Sequence, residues 1–383
     1  MSNFDTVIDF GSQNLRLGAF NLVSKNIYSS EQKILDNQEN SLNILVKDAE
    51  KHLSTHIDNV VVLYDSPKFY VLDICIRKVF DHAVPIKQVY ANLIDEAQFF
   101  VSQNNFKDQI IHTVINDIIV ENDKKLDKIT EDLKIKSLIL EIKFICLSKI
   151  IVNDVSNKFK NNNLKIINLY CSSYVKTAYF KKKFDKKDCV IFLDIGFERT
   201  SGFIFKNCKL DFFKSIPLGG NNITKDISKV LKLSMDYSED LKIQFNNEEI
   251  DYSFDKTNNN KINPYSEILE KKISINLLKQ IIEARIAEIM ELAVFKSNSI
   301  KNLNTIEKPK LFIAGGGSPL FSNSYSVGIS ELISKLTVIN ENKMNIFEIG
   351  ANYHKSDESF LSKTKKKVRK TGFFEAFFNL FSK

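Results

Sequence analysis

At 383 residues the chain is long enough for two domains with substantial cores. Hydrophobic residues make up 43% and charged residues 26%, ordinary for a soluble globular protein, and no run reaches the roughly 18 apolar residues of a spanning helix. The net charge of +7 is concentrated: residues 363–383 hold seven Lys or Arg and one Glu, so the body is near neutral and a nucleic-acid-binding body is disfavoured.

Cys75, Cys146, Cys171, Cys189 and Cys208 are odd in number and show no C-x-x-C spacing, as expected of reduced thiols rather than disulfides or a zinc site. No basic-then-apolar segment precedes the first predicted strand, so no secretory signal is expected.

In chain order, residues 5–35 read as strands. Residues 41–56 read as a helix, because Leu42, Leu45, Val46, Ala49 and Leu53 recur at helical spacing. VVVLYD (60–65) is a buried strand, followed by a break at SPKF. From there to about residue 155 short helices mix with the strands IIHTVI, LDKIT and LILEIKFICL, the pattern of an inserted subdomain. SKIIVNDVSNKFKNNN is a helix ended by an Asn-rich loop, and KIINLYCSS returns to strand. LDFFKSIPLGGNNITKDISKVL reads strand, Gly-Gly turn, helix. Residues 244–263 are loop-like, 272–296 form an amphipathic helix, and KLFIAGGGSPL is a strand entering a glycine-rich turn.

One hairpin is written twice. TVIDFGSQNLRLGAF (6–20) and VIFLDIGFERTSGFIF (190–205) align without a gap, with Asp9 and Asp194, Gly11 and Gly196, Phe20 and Phe205 each 185 positions apart. Each copy is an apolar strand, an Asp-x-Gly turn, a short polar tip and a second strand. Glycine lets backbone N–H groups approach phosphate, and an aspartate there can hold a hydrated magnesium ion. A single Asp-x-Gly turn is most often a plain hairpin; two aligned copies predict similar half-domains facing one ligand. Gly315, Gly316 and Gly317 after the strand LFIA would let a flat base lie on the backbone. Glu239 and Lys242 share one helix face, a spacing that by itself is usually a surface ion pair, and Gly219 and Gly220, opening a helix, could add a backbone contact near phosphate.

The order VIDFG, FLDIG, SIPLGGNNITKDIS, SEDLK, FIAGGG resembles the actin/Hsp70/sugar-kinase ATPase superfamily, and SIPLGGNNITKDISKVL followed by SEDLK is similar to the FtsA family of bacterial division proteins. The resemblance covers most of the chain and is strongest over about 165–295, around 311–318 and at the tail. It implies an α/β, actin-like (ribonuclease H-like) fold of two lobes with an inserted small α+β (SHS2-type) subdomain. The first lobe would comprise 1–56, 161–187 and 340–352, the insert 57–160, and the second lobe 188–339, whose FtsZ-binding part spans about 236–308. It implies ATP with Mg²⁺ in the interlobe cleft. Asp9, Gly11, Ser12 and Asn14 would form the first phosphate loop, and Asp194, Gly196, Arg199 and Thr200 the second. Asp9 and Asp194 would hold the metal through water. Glu239 and Lys242 would flank the ribose, Gly315–Gly317 would support the adenine, and Arg285 would contact the acidic C-terminal peptide of FtsZ. Phe197 and Glu198 replace two glycines of the family's second loop. Asn116 stands where a glutamine usually polarises the attacking water, so at most a weak ATPase is expected.

The tail is distinct. Phe373, Phe374, Phe377, Phe378 and Phe381, with Leu380, fall on one face of a helix over 372–383, after a basic linker at 353–371 that includes Arg369 and Lys370. That pattern predicts an interfacial helix on an anionic membrane surface. Anionic lipids contribute about 1 kcal/mol per nearby basic residue, and each buried Phe about 2 kcal/mol. The reading is a division protein that forms actin-like filaments on the cytoplasmic face of the inner membrane and anchors the FtsZ ring. The alternatives are a pilus-assembly-type scaffold and a small-molecule kinase of the same superfamily.

Overall fold

The computed structural model describes residues 4–21, 26–34, 37–127, 129–130, 133–185, 187–246, 275–301, 308–320, 333–339 and 345–365. Two five-stranded sheets carry the same topology. The first runs β3 (Asn26–Lys33), β2 (Asn14–Asn21), β1 (Phe4–Phe10), β4 (Asn59–Tyr64), β9 (Lys165–Cys171). The second runs β12 (Lys209–Ile216), β11 (Thr200–Lys206), β10 (Cys189–Ile195), β13 (Lys310–Ala314), β14 (Lys335–Val338). In both, an antiparallel meander passes into two parallel strands.

The duplication holds to the residue. Asp9 pairs with Arg16 across the first hairpin, and Asp194 with Ser201 across the second, at the same offset of 185. β10 is buried along its whole length, which explains why CVIFLDI is nearly continuous in apolar residues rather than alternating.

Helices cover the sheets where their apolar stripes demand. α1 (Gln38–Leu53) starts at Asn37, whose side chain accepts from the Asn40 N–H at 2.8 Å, and ends at Ser54 in the left-handed region. It buries Leu42, Leu45, Val46 and Ala49 against β1 and β2, together with Val155 and Phe159 of α3 (Lys149–Lys160). α5 (Gly220–Leu231), α6 (Met235–Asn246) and α7 (Ile275–Met290) close one face of the second sheet, around Ile223, Ile227, Leu241, Ile282 and Ile286. A π-helical turn, Glu291–Phe295, continues α7.

A third, four-stranded sheet contains β5 (Tyr70–Pro85), β8 (Lys134–Ser148), β6 (Asp108–Val120) and β7 (Lys124–Lys125), covered by α2 (Ile86–Asn104). The expected insert of 57–160 enclosed two elements that pack elsewhere. β4 pairs with β1 in the first lobe, and the buried face of α3 joins the first-lobe core, so the separate sheet spans 70–148. The expected strand LDKIT is replaced by β7, a two-residue pairing just before it.

Two further expectations are corrected. KIINLYCSS was read as strand, but the strand ends at Cys171 and α4 (Ser172–Phe180) begins at once. Residues 353–371 were read as a linker, yet α8 (Ile346–Lys365) continues through their first part. Ile346, Ile349 and Ala351 pack against Val7, Phe20, Val61 and Leu63 of the first sheet, and Tyr353 reaches the insert. The helix enters this stretch because Tyr353 and His354 are held by His112 and Tyr170, contacts that the polar composition alone did not disclose. The tail residues Arg369, Lys370, Phe373, Phe374, Phe377, Phe378, Leu380 and Phe381 lie outside the described residues.

Candidate functional site: a cleft between the two hairpins

Both Asp-x-Gly turns open into one cavity of about 490 Å³ between the lobes. Asp9, Gly11, Ser12, Asn14 and Arg16 line it from the first lobe, and Asp194, Gly196, Phe197, Glu198 and Arg199 from the second. Gly315 and Gly316 close one end, and Asn221, Asn222 and Lys225 at the start of α5 another.

The turns themselves are tight. A Cβ at Gly11 would lie 2.6 Å from the Asn14 carbonyl oxygen, so that turn closes only around glycine. Gly315 has φ of +97° and sits against the Ile195 backbone, whereas a Cβ at Gly316 would meet open space. A flat group can therefore rest on Gly316.

The electrostatics of the second hairpin differ from the first. Asp194 is fully buried, with Lys176 Nζ 3.2 Å and Arg199 Nη2 3.3 Å from its carboxylate. Arg199 also pairs with Asp65, the residue after β4 in the first lobe. The Ser173 hydroxyl lies 2.8 Å from carboxylate oxygens of both Asp65 and Asp194, and the Ser173 N–H donates to Asp65 at 3.1 Å. Burial works against ionisation of Asp194, but Lys176 and Arg199 outweigh it and hold the carboxyl down at about 2. Asp9 is simpler: partly exposed, with Arg16 at 3.6 Å and the Ser172 hydroxyl at 3.3 Å.

Lys176, Ser173 and Asp65 were absent from the sequence-based site. The first two lie on α4, whose opening residues Ser172 and Ser173 fall inside the expected strand KIINLYCSS and whose remainder, with Lys176, received no assignment. Asp65 was visible by symmetry. Asp9 pairs with Leu63 as Asp194 pairs with Ala314, so Asp65 mirrors Gly316.

Several expected contacts fall elsewhere. The Gly220 N–H donates to the Gly196 carbonyl at 2.9 Å and the Asn221 N–H to the Phe197 carbonyl at 2.7 Å, so the start of α5 is capped by the second loop. Gly219 is the close-packing residue of that joint, since a Cβ there would approach the Gly196 oxygen to 2.5 Å. Neither glycine lines the cavity. Thr200 gives its hydroxyl to the Leu218 carbonyl at 2.7 Å, and the Gly317 N–H bonds the Ile195 carbonyl at 2.9 Å. Glu239 and Lys242 do pair, at 2.6 Å, but Lys242 also bonds Gly220 O and Thr224 Oγ1, which ties α6 to α5 instead of flanking the cleft.

Asn116 is also away from the cavity. Its amide donates to the Leu210 carbonyl at 2.8 Å and accepts from the Leu210 N–H at 3.1 Å, clamping the insert to β12. That two-bond clamp uses both ends of the amide, so Asn116 does not act as a water-polarising residue. Arg285 sits on the surface of α7 in a two-pronged pair with Asp226 of α5 and an ion pair with Glu288.

The fit to a nucleotide divides accordingly. The open floor at Gly316, the tight Gly11 turn and the cations Arg16 and Lys225 suit a nucleoside polyphosphate. A magnesium ion bridged through Asp194 does not fit, because that carboxylate already faces two side-chain cations in a buried setting. Among the described residues, no group of three or more His, Cys, Asp or Glu is arranged to hold a metal.

Comparison with known proteins agrees with this architecture. Residues 191–335 match the sequence model of the family described as cell division protein FtsA. The cell division protein FtsA of Bacillus subtilis (strain 168) is 26% identical over 231 residues, covering 57% of this chain and 50% of that protein. The chain thus matches about half the length of this curated relative. Among solved structures, a PilM–PilN type IV pilus biogenesis complex superposes with a TM-score of 0.51 at 13% identity, covering 94% of this chain and 98% of that one. MreB 5 of Spiroplasma citri bound to AMPPNP gives a TM-score of 0.50 at 12% identity, covering 94% and 99%. The fold is actin-like.

Proposed function

We propose that this chain, an FtsA-type division protein of actin-like fold, is a membrane-associated scaffold that binds ATP in its interlobe cleft and links the FtsZ ring to the cytoplasmic face of the inner membrane. The observation that carries the reading is the cleft itself: two hairpins in identical register, each with an aspartate at its turn, face one cavity. The match over the second lobe supports a division role over a kinase of the same fold. Likeness of fold to MreB 5 of Spiroplasma citri bound to AMPPNP supports nucleotide as the cleft ligand, and self-association of protomers is part of the same proposal. In this reading nucleotide sets the angle between the lobes, and with it the contact between protomers. Hydrolysis is at most weak. Asn116 is engaged with β12, and Phe197 and Glu198 crowd the second loop.

Membrane attachment is assigned to the phenylalanine-rich end, and many weak tails along a filament would bind by avidity. Among the described residues, no helix is long and apolar enough to cross a membrane. The variant Phe377→Glu is expected to abolish cosedimentation with phosphatidylglycerol-containing vesicles while leaving the fold unchanged. Continued sedimentation with vesicles would remove the tail as the anchor.

The partner site is assigned to the exposed side of α7. Arg285 presents a guanidinium at 23% side-chain exposure, within reach of an acidic peptide that competes with Asp226 and Glu288. Reversing its charge with Arg285→Glu is expected to weaken binding of an FtsZ C-terminal peptide by at least about tenfold, or 1.4 kcal/mol. Equal capture of that peptide by wild type and variant would exclude Arg285 from the contact.

A further inference from the structure

We propose that Lys176 and Arg199 take the place of the divalent cation in the cleft, so that the site accepts a nucleoside triphosphate free of metal. The inference rests on the nucleotide reading above and specifies the form in which the ligand is bound.

The charge balance leads to it. Among the described residues, four carboxylates line the cavity, Asp9, Asp65, Asp194 and Glu198, and four cations face them, Arg16, Lys176, Arg199 and Lys225. A cleft built on bare aspartates is negative and needs a dication before it can tolerate phosphates. Here the two side chains on Asp194 together supply +2, the charge of one magnesium ion, at 3.2 and 3.3 Å. Both are largely buried, with side-chain exposures of 7% for Lys176 and 14% for Arg199, so their field is little screened. A metal approaching Asp194 would meet these two like charges. It would also have to break pairs whose members are already desolvated.

The position of the two cations reinforces this. Arg199 leaves the second hairpin at the site of the phosphate loop, and it spans to Asp65 of the first lobe. Lys176 rises from α4 beneath the same carboxylate and is itself part of the cavity lining. The guanidinium therefore joins the lobes through side chains, the role that a metal–phosphate bridge would otherwise fill. Planar Arg also suits a phosphate oxygen as a directional donor, and Lys as a compact point charge.

The test is calorimetric titration of the full-length protein with ATP, once with magnesium chloride and once with EDTA. Binding in EDTA should be at least as tight as in magnesium, because magnesium withdraws free ATP from the site's own cations. A loss of about tenfold or more on chelation would overturn the proposal while preserving the nucleotide reading. Absence of binding under both conditions would instead overturn the nucleotide reading, and this inference with it. Arg199→Thr shortens the side chain and removes one surrogate charge. It should lose ATP binding in EDTA by about tenfold and recover part of it with magnesium. Lys176→Gln is the parallel variant, judged by the same pair of titrations should Arg199→Thr fail to fold by circular dichroism. Metal-free affinity unchanged in a folded variant would show that these side chains do not substitute for the ion.

Discussion

Asp194→Asn is expected to lower the unfolding free energy by about 3–5 kcal/mol, the range for removing one member of a buried ion pair. The substitution keeps shape and removes charge. Lys176 and Arg199 then sit in a buried setting without the carboxylate that faces both of them. Asp9→Asn provides the contrast. Asp9 is partly exposed and its partner Arg16 is 3.6 Å away, so the same change should cost no more than about 1 kcal/mol. Urea denaturation of the two variants beside wild type separates these outcomes. Equal midpoints for the pair would mean that the buried cluster contributes no more than a surface contact. The pH dependence has a definite sign. The Asp194 carboxyl is held below its ordinary value of 3.8, at about 2, so its contribution is complete above 3.8 and is lost as pH falls from there towards 2.

A second large effect is expected at His112, the joint between insert, first lobe and α8. The His112 Nε2 accepts the Cys171 N–H at 2.9 Å, so the proton of the neutral ring lies on Nδ1, which donates to the Tyr353 hydroxyl at 2.9 Å. Tyr170, Tyr174 and Tyr353 surround the ring. Burial drives its pKa down to about 3, against an ordinary 6.5. A proton on Nε2 would oppose the Cys171 N–H. Because the unfolded chain binds that proton and the folded one does not, stability falls as pH drops below 6.5. Between pH 7.5 and 5.0 the loss should be about 2 kcal/mol from this residue. His112→Gln should flatten that part of the profile while lowering stability at neutral pH. A wild-type profile that is level across this interval would exclude a neutral buried histidine here.

The duplicated hairpin was legible because it is short-range information written twice. Strand alternation, the Asp-x-Gly turn and the constant offset fixed the register that both sheets adopt. The helices α1, α5 and α7 were legible for a similar reason, each burying a stripe at helical spacing. The glycines at 315 and 316 reached the cavity because strand β13 lies beside β10, as a parallel doubly flanked sheet requires.

What escaped was information carried by neighbours in space. Thr200, Gly219, Gly220, Gly317, Glu239 and Lys242 have the residue types of a ligand site, yet each has its polar groups or its closest approach engaged by protein. Type and spacing alone do not reveal that the second loop caps α5. Lys176 lies three residues beyond the expected strand KIINLYCSS, on a helix the sequence reading did not assign, and nothing in the local pattern links it to Asp194, 18 residues on. Asn116 was assigned by likeness to a family position, and its amide instead meets the backbone of a strand 94 residues away.

α8 lies flat on the first sheet through Ile346, Ile349 and Ala351, then reaches the insert through Tyr353. Asp357, one turn further on, accepts the Tyr170 hydroxyl at 2.9 Å. Tension applied downstream of Lys365 is thus delivered to the first lobe and the insert as a unit. The Arg199–Asp65 pair would then carry that load across the cleft to the opposite lobe.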